Sequence, residues 1–256
     1  WLAERQCKLA LENAGHICLS VYSSGGFRQL GNATKPVRVP ADMKGLKWRT
    51  TKSPVEFMLV KNWGATPTPY DWSQLYSGLQ SGVVEGQYVA TPWQHVAKLH
   101  EVAKYFTEIG GMWSGNILAM DAKQYNALSD QQRKWLHEAA DAYGEKVNQL
   151  DNAWIKNGED AIKASAKEWY VPSEAEMSKW REGAIGAWLD AKGTFEPEVA
   201  KRVLLEQGMD GFVAQDRLSS QPLQVSDFIS PWPAWTLWGA QLRLMKLAAR
   251  LAPFTS

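Results

Sequence analysis

The chain is poor in cysteine, in histidine and in net charge, and each shortage removes a class of function. Cys7 and Cys18 are the only cysteines in 256 residues, too few for a disulfide scaffold or a cysteine-built metal centre. Their apolar settings read as those of two small buried hydrophobes, with a disulfide in an oxidising compartment as the alternative. The four histidines, His16, His95, His100 and His137, show no HExxH or paired-ligand spacing, and no GxSxG or GxxxxGKS/T motif occurs. Nothing therefore pairs a nucleophile with a base, and the chain reads as a non-enzyme without metal or cofactor. A net charge of +1 leaves no electrostatic footprint for nucleic acid. No uninterrupted apolar run reaches the about 18 residues of a membrane-spanning helix.

What is present is an ordinary globular balance, 45% apolar and 21% charged, with an unusual load of 14 tryptophans. A large indole is placed to fill a core or to cover a flat apolar ligand, so each one near a candidate site has to be weighed. Residues 1–14 carry apolar positions at helical spacing and stop at Gly15. "HICLSVY" then reads as a strand, "SSGGFRQLGN" as a turn-rich passage and "GLKWRT" as a second strand. Ser53, Pro54 and Glu56 supply an N-cap, an N1 proline and the N3 acid of a capping box, opening a helix to about Asn62. Asp71 with Gln74 caps a further helix to Gly82, and "GVVEGQYVA" is a third strand. This order predicts a parallel sheet layered with helices.

A helix over about 93–105 and a strand near "NILAMD" continue the alternation. Ser129 and Gln132 open a pattern that runs to about residue 165 and would span roughly 50 Å at 1.5 Å per residue. It reads as a helix bracing two lobes, with Gly144 and Gly158 allowing a bend. "EWYV" is a strand, Ser173 with Glu176 caps the helix that holds Trp180 and Trp188, and a last helix runs from about Pro197 to Gln207.

A parallel α/β sheet binds ligands beyond the carboxyl ends of its strands. Arg49 lies at such an end, just before a capped helix N-terminus, and a guanidinium beside unpaired N–H groups is a sound carboxylate or phosphate receptor. The alternative is an exposed arginine at a strand edge. Arg28 in "GGFRQLG", Trp72 in "DWSQLY" and Gln87, Tyr88 and Val89 in "VVEGQYV" fall near other strand ends.

"KGLKWRTTKSPV" followed by "GATPTPYDWSQLYSGLQSGVVEGQ" resembles the solute-binding proteins of tripartite ATP-independent periplasmic (TRAP) transporters, the DctP-like family, over about residues 4–215. The resemblance implies a two-lobed α/β periplasmic-binding-protein architecture that closes on a small organic anion and hands it to integral-membrane permease subunits. Arg49 would clamp the ligand carboxylate, Arg28 would be the second arginine, Trp72 the covering aromatic and Asn116 a polar contact near the hinge. It implies a lobe I built from 1–25 and 115–154, a lobe II from 26–114 and 155–218, and a periplasmic location, although no signal peptide is present. Only the last helix and strand of the family's opening portion precede "GFRQ". The first lobe is thus expected to be N-terminally incomplete, since a naturally reduced receptor would expose apolar faces and an unprotected edge.

Where relatives read "DGQEN", this chain reads "EGQYV". The lost amide, with Trp72, Tyr88 and Trp113 nearby, leans towards a less polar carboxylate, aromatic or branched, rather than a polyhydroxylated acid. Packing roles for Tyr88 and Trp113 are the alternative. A sensory receptor of the same fold that feeds a signalling partner is the rival function. Residues 219–256 read as a linker and a basic amphipathic helix at 236–252, either packed on its own lobe or touching a membrane surface or a partner.

Overall fold

The computed structural model describes residues 1–206, apart from Lys192, Thr194, Phe195 and the side chain of Leu2. The expectations for 207–218 and for the tail at 219–256 lie outside the described residues. Helix α1 (Leu2–Ala14) ends on Gly15 in the left-handed conformation and turns directly into β1 (His16–Asn32). That corner brings Cys7 and Cys18 together, with Cα atoms 5.1 Å apart, and they form a disulfide. The reading of two separate buried hydrophobes is therefore corrected.

Strand β1 is longer than its sequence indicates. "SSGGFRQLGN" is not a turn but the continuation of the strand, through an irregularity between Ser23 and Gly26. Gly25 and Gly26, at φ 90° and 70°, take up the kink that a side chain would resist. Strand β1 pairs with β6 (Trp113–Asp121) through the kink as far as Phe27, with β4 (Gly86–Ala90) from Arg28 onwards and with β5 (Tyr105–Thr107) from Leu30.

Next come β2 (Lys47–Thr50), α2 (Pro54–Asn62), β3 (Thr66–Pro69) and, after a 3-10 turn over Trp72–Gln74, α3 (Leu75–Ser81). Beyond β4 lie α4 (Thr91–Val96) and α5 (Leu99–Val102), so the single helix expected over 93–105 is two short helices leading into β5. After β6 come α6 (Ala122–Asn126), α7 (Asp130–Ser165), β7 (Glu168–Tyr170), α8 (Glu174–Asp190) and α9 (Pro197–Glu206). The sheet runs β3-β2-β4-β1-β5-β7, with β6 on β1. It is mixed rather than parallel: β2 is parallel to β3 and β4, and β5 to β7, but β1 opposes all three of its partners.

The main core lies between this sheet and α2 and α8. Trp48, Met43, Leu30, Trp63, Tyr88 and Trp180 are all buried there, and Trp63 stands edge-on to both Tyr88 and Trp180 at 5.4 and 5.2 Å. Trp63 donates its indole N–H to the Trp180 carbonyl and Trp180 to that of Arg38, whereas the buried indole N–H of Trp48 has no partner among the described residues.

Helix α7, 36 residues long, packs on β1 and α4. Its glycines are close-approach positions. A Cβ on Gly158 would lie 2.8 Å from the backbone of Pro92, whereas one on Gly144 would meet only the Ser20 side chain. Asp151 of the same helix is buried and accepts from Ser23 Oγ at 2.5 Å and from Gly25 N–H at 3.0 Å, pinning the kink in β1. Because backbone cannot step aside as a hydroxyl rotor can, Gly158→Ala should destabilise by about 1–3 kcal/mol and Gly144→Ala by clearly less. Thermal unfolding of the two variants measures this, and equal losses would refute the close-contact account.

Candidate functional site

The kink in β1, the carboxyl end of β2 and the start of β6 meet around a cleft of about 400 Å³. Its wall includes Arg28, Arg49, Thr51, Ser114 and Asn116 on the polar side and Trp72, Val89, Trp93 and Trp113 on the apolar side.

Arg49 lies near the end of β2 and is 5% exposed. Its Nε donates to the Tyr70 carbonyl at 3.1 Å, and neither Nη has a hydrogen-bond partner among the described residues. The guanidinium lies 5.8 Å from the Trp72 ring centre, which limits its swing. Burial is the main influence lowering its pKa from the ordinary value; Glu56 opposes this and Arg28 adds to it. Arginine nevertheless stays charged at neutral pH, so a cation with both Nη groups unspent lines the cleft.

Arg28 comes just after the glycine kink in β1, where its Nε donates to Ser114 Oγ at 3.2 Å and its Nη1 to Glu56 Oε1 at 3.4 Å. By sequence Glu56 holds only the N3 place of a capping box. Ser53 does accept from the Glu56 N–H, but the Glu56 carboxylate turns inward, accepting from the Thr51 N–H at 3.1 Å and from the Thr51 hydroxyl. The protein's own carboxylate thus occupies the ground before α2 that the sequence offered to a ligand. Its partner Arg28 is 28 positions away in the chain, so the only available signal was an acid at N3, which is common to many helices.

Asn116 in β6 donates to Ser24 Oγ at 3.0 Å, and Trp93 donates its indole N–H to both the carbonyl and the hydroxyl of Ser24 at 3.1 Å. Trp93, which sequence reasoning missed, stands edge-on between Trp72 and Trp154 of α7, at 6.4 and 5.2 Å. Trp113 folds its ring over Gly115, where any side chain would collide with it.

Of the residues singled out from sequence, Arg49, Arg28, Trp72, Val89, Trp113 and Asn116 come together at the cleft, and Gln87 and Tyr88 do not. Strand β4 is buried along its whole length. Tyr88 points into the core against Trp63, and burial pushes its phenol well above the ordinary range. Gln87 turns to α4 and donates to Gln94 Oε1 at 2.7 Å, while Gln94 in turn donates to the Gln29 and Val89 carbonyls.

Residues 3–193 match the family described as bacterial extracellular solute-binding protein, family 7 (DctP), and the chain belongs to that family of TRAP solute-binding proteins. It is 29% identical over 150 residues to the ectoine-binding periplasmic protein TeaA of Halomonas elongata, covering 59% of this chain and 43% of that one. It is 30% identical over 145 residues to the 2,3-diketo-L-gulonate-binding periplasmic protein YiaO of Escherichia coli, covering 56% and 43%. The chain thus spans less than half the length of these curated relatives. Among solved structures it resembles a TRAP periplasmic solute-binding protein from Sulfitobacter sp. NAS-14.1 with bound β-D-galacturonate, at a TM-score of 0.72 and 22% identity, covering 79% of this chain and 66% of that one. That likeness concerns the fold.

The indole N–H of Trp93 should hold Ser24 and the cleft wall in place. Trp93→Phe keeps an aromatic ring between Trp72 and Trp154 but removes the donor, and it should cost about 0.5–1.5 kcal/mol. Chemical denaturation would measure the loss; an unchanged midpoint would show that the bond does not support the wall.

Proposed function

We propose that this protein is the extracytoplasmic solute-binding subunit of a TRAP transporter, capturing a small organic carboxylate in the periplasm and delivering it to integral-membrane permease subunits. One observation carries the reading: Arg49 lines the cleft, buried near the end of β2, with both Nη groups unspent. A fixed fork of that kind matches two carboxylate oxygens. Arg28 adds charge and a second polar contact, Asn116 and Ser114 offer further polar atoms, and Trp72, Trp113 and Val89 give an apolar surface for the ligand body. That wall favours an aromatic or branched acid over a heavily hydroxylated one.

The two-lobe division belongs to the same proposal. The kink at Gly25–Gly26, two residues before β1 takes up β4, supports a boundary between a lobe holding 1–25 and 115–154 and one holding 26–114 and 155–218. Relatives named for ectoine, 2,3-diketo-L-gulonate and C4-dicarboxylates support the ligand class in general terms.

A thermal-shift screen against aliphatic, keto and aromatic carboxylates tests the proposal. A ligand at about 100 times its Kd adds roughly 2.7 kcal/mol, a melting shift of several degrees. The shift should vanish in Arg49→Ala. If no acid shifts the protein, or the shift survives the substitution, Arg49 is not the anchor.

A further inference from the structure

The charges around the cleft do not balance. Its wall carries two guanidinium groups, Arg28 and Arg49, and no carboxylate. Beneath them Glu56 is 2% exposed, paired with Arg28 through Oε1 and held by Thr51 through Oε2. Asp71, the other acid that Arg49 senses, is exposed, spent on the N–H and hydroxyl of Ser73, and lies in the field of Lys52. Two cations and one buried anion leave a single positive charge unmatched among the described residues. Glu56 acts on both guanidiniums but hydrogen-bonds only Arg28, while Arg49 keeps its Nη donors free.

We propose that Glu56 sets the charge class of the ligand: by neutralising Arg28 it makes the cleft a receptor for one carboxylate and rejects a second. The inference rests on the reading of the cleft as a carboxylate receptor and narrows it to monoanions. A dianion could place its first carboxylate on Arg49. Its second, approaching Arg28, would meet the field of the Glu56 carboxylate, which is itself buried and paired with that guanidinium. Specificity then comes from a repulsive element built under the site as well as from the attractive fork above it. Glu56 is a positioning residue, acting on the ligand through Arg28 and through the local field.

Calorimetric titration with acids of matched skeleton tests this: butyrate against succinate, and phenylacetate against 4-carboxyphenylacetate. In the unmodified protein the monoanion of a pair should bind at least about tenfold more tightly, a difference of about 1.4 kcal/mol. Glu56→Gln, whose amide oxygen can still accept from Thr51, should move the ratio about tenfold towards the dianion. The double variant Arg28→Gln with Glu56→Gln returns the surplus to one charge and should restore the original preference.

A purely structural Glu56 would weaken both members of a pair alike and leave their ratio unchanged, which would overturn the proposal. So would dianions that bind the unmodified protein as tightly as their monoanion partners, while Arg49→Ala still abolishes binding; the receptor reading would then stand and the charge assignment fall. Absence of binding by every acid would remove the receptor reading itself. Should Glu56→Gln fail to fold, Arg28→Gln alone decides: it leaves Glu56 without its counter-ion and should move the ratio further towards the monoanion, whereas an unchanged ratio would overturn the proposal.

Discussion

One buried carboxylate holds the architecture in register. Asp151 reaches from the long helix α7 to the kink in β1, where it takes the Ser23 hydroxyl and the Gly25 N–H. A strand that bends without such a partner leaves an amide and a hydroxyl unsatisfied in the interior, at about 1–3 kcal/mol for each buried group. With Asp151 in place the bend is fixed, and its consequences run along the chain. Ser24 and Arg28 are delivered to the cleft, the first half of β1 is released to pair with β6, and the second half enters the sheet between β4 and β5.

The neighbours of Asp151 on α7 extend that control. Trp154, Ile155 and Gly158 share its helical face at three- and four-residue spacing. Trp154 stands edge-on to Trp93 and so backs the aromatic wall of the cleft. The Ile155 side chain fills the space that a Cβ on Gly26 would need, and Gly158 lets the α4 backbone approach. A single stripe of one helix therefore sets the strand kink, the tryptophan wall and the seating of α4. At 36 residues α7 is roughly 54 Å long, and these functional contacts occupy about two turns of it.

Legibility in the sequence depended on range. Ser53, Ser129 and Ser173 were readable as helix starts, and Gly15 and Gly82 as stops, because capping is settled by residues about three positions apart. Arg49 was readable because a strand end leading at once into a capped helix is itself a local pattern. The β1 kink was not, since a glycine pair signals a turn unless something distant holds it extended, and Asp151 lies 126 positions from Gly25. The antiparallel placing of β1 and the three-residue β5 were hidden for the same reason. Gln87 and Tyr88 were misplaced because β4 is buried on both faces and shows no polar alternation to say which side meets the cleft. The Cys7–Cys18 pairing depended on the sharp corner at Gly15, which sequence marks as a helix stop without giving the direction in which β1 departs.

That misplacement of Gln87 and Tyr88 changes the argument about ligand polarity. Taken from sequence, "EGQYV" set both Tyr88 and Val89 against the ligand. Only Val89 reaches the cleft, and Tyr88 belongs to the packing around Trp63 and Trp180. The apolar character of the wall therefore comes from Val89 with Trp72, Trp93 and Trp113, and one of these indoles, Trp93, is held by its hydrogen bonds to Ser24. Rigid aromatic walls lose little conformational entropy when a ligand arrives. The arginines are tied as well, Arg49 to the Tyr70 carbonyl and Arg28 to Ser114 and Glu56. Both the charge and the shape of the cleft are thus largely set by the protein's own hydrogen bonds, which makes selection among anions a matter of complementarity to a prepared surface.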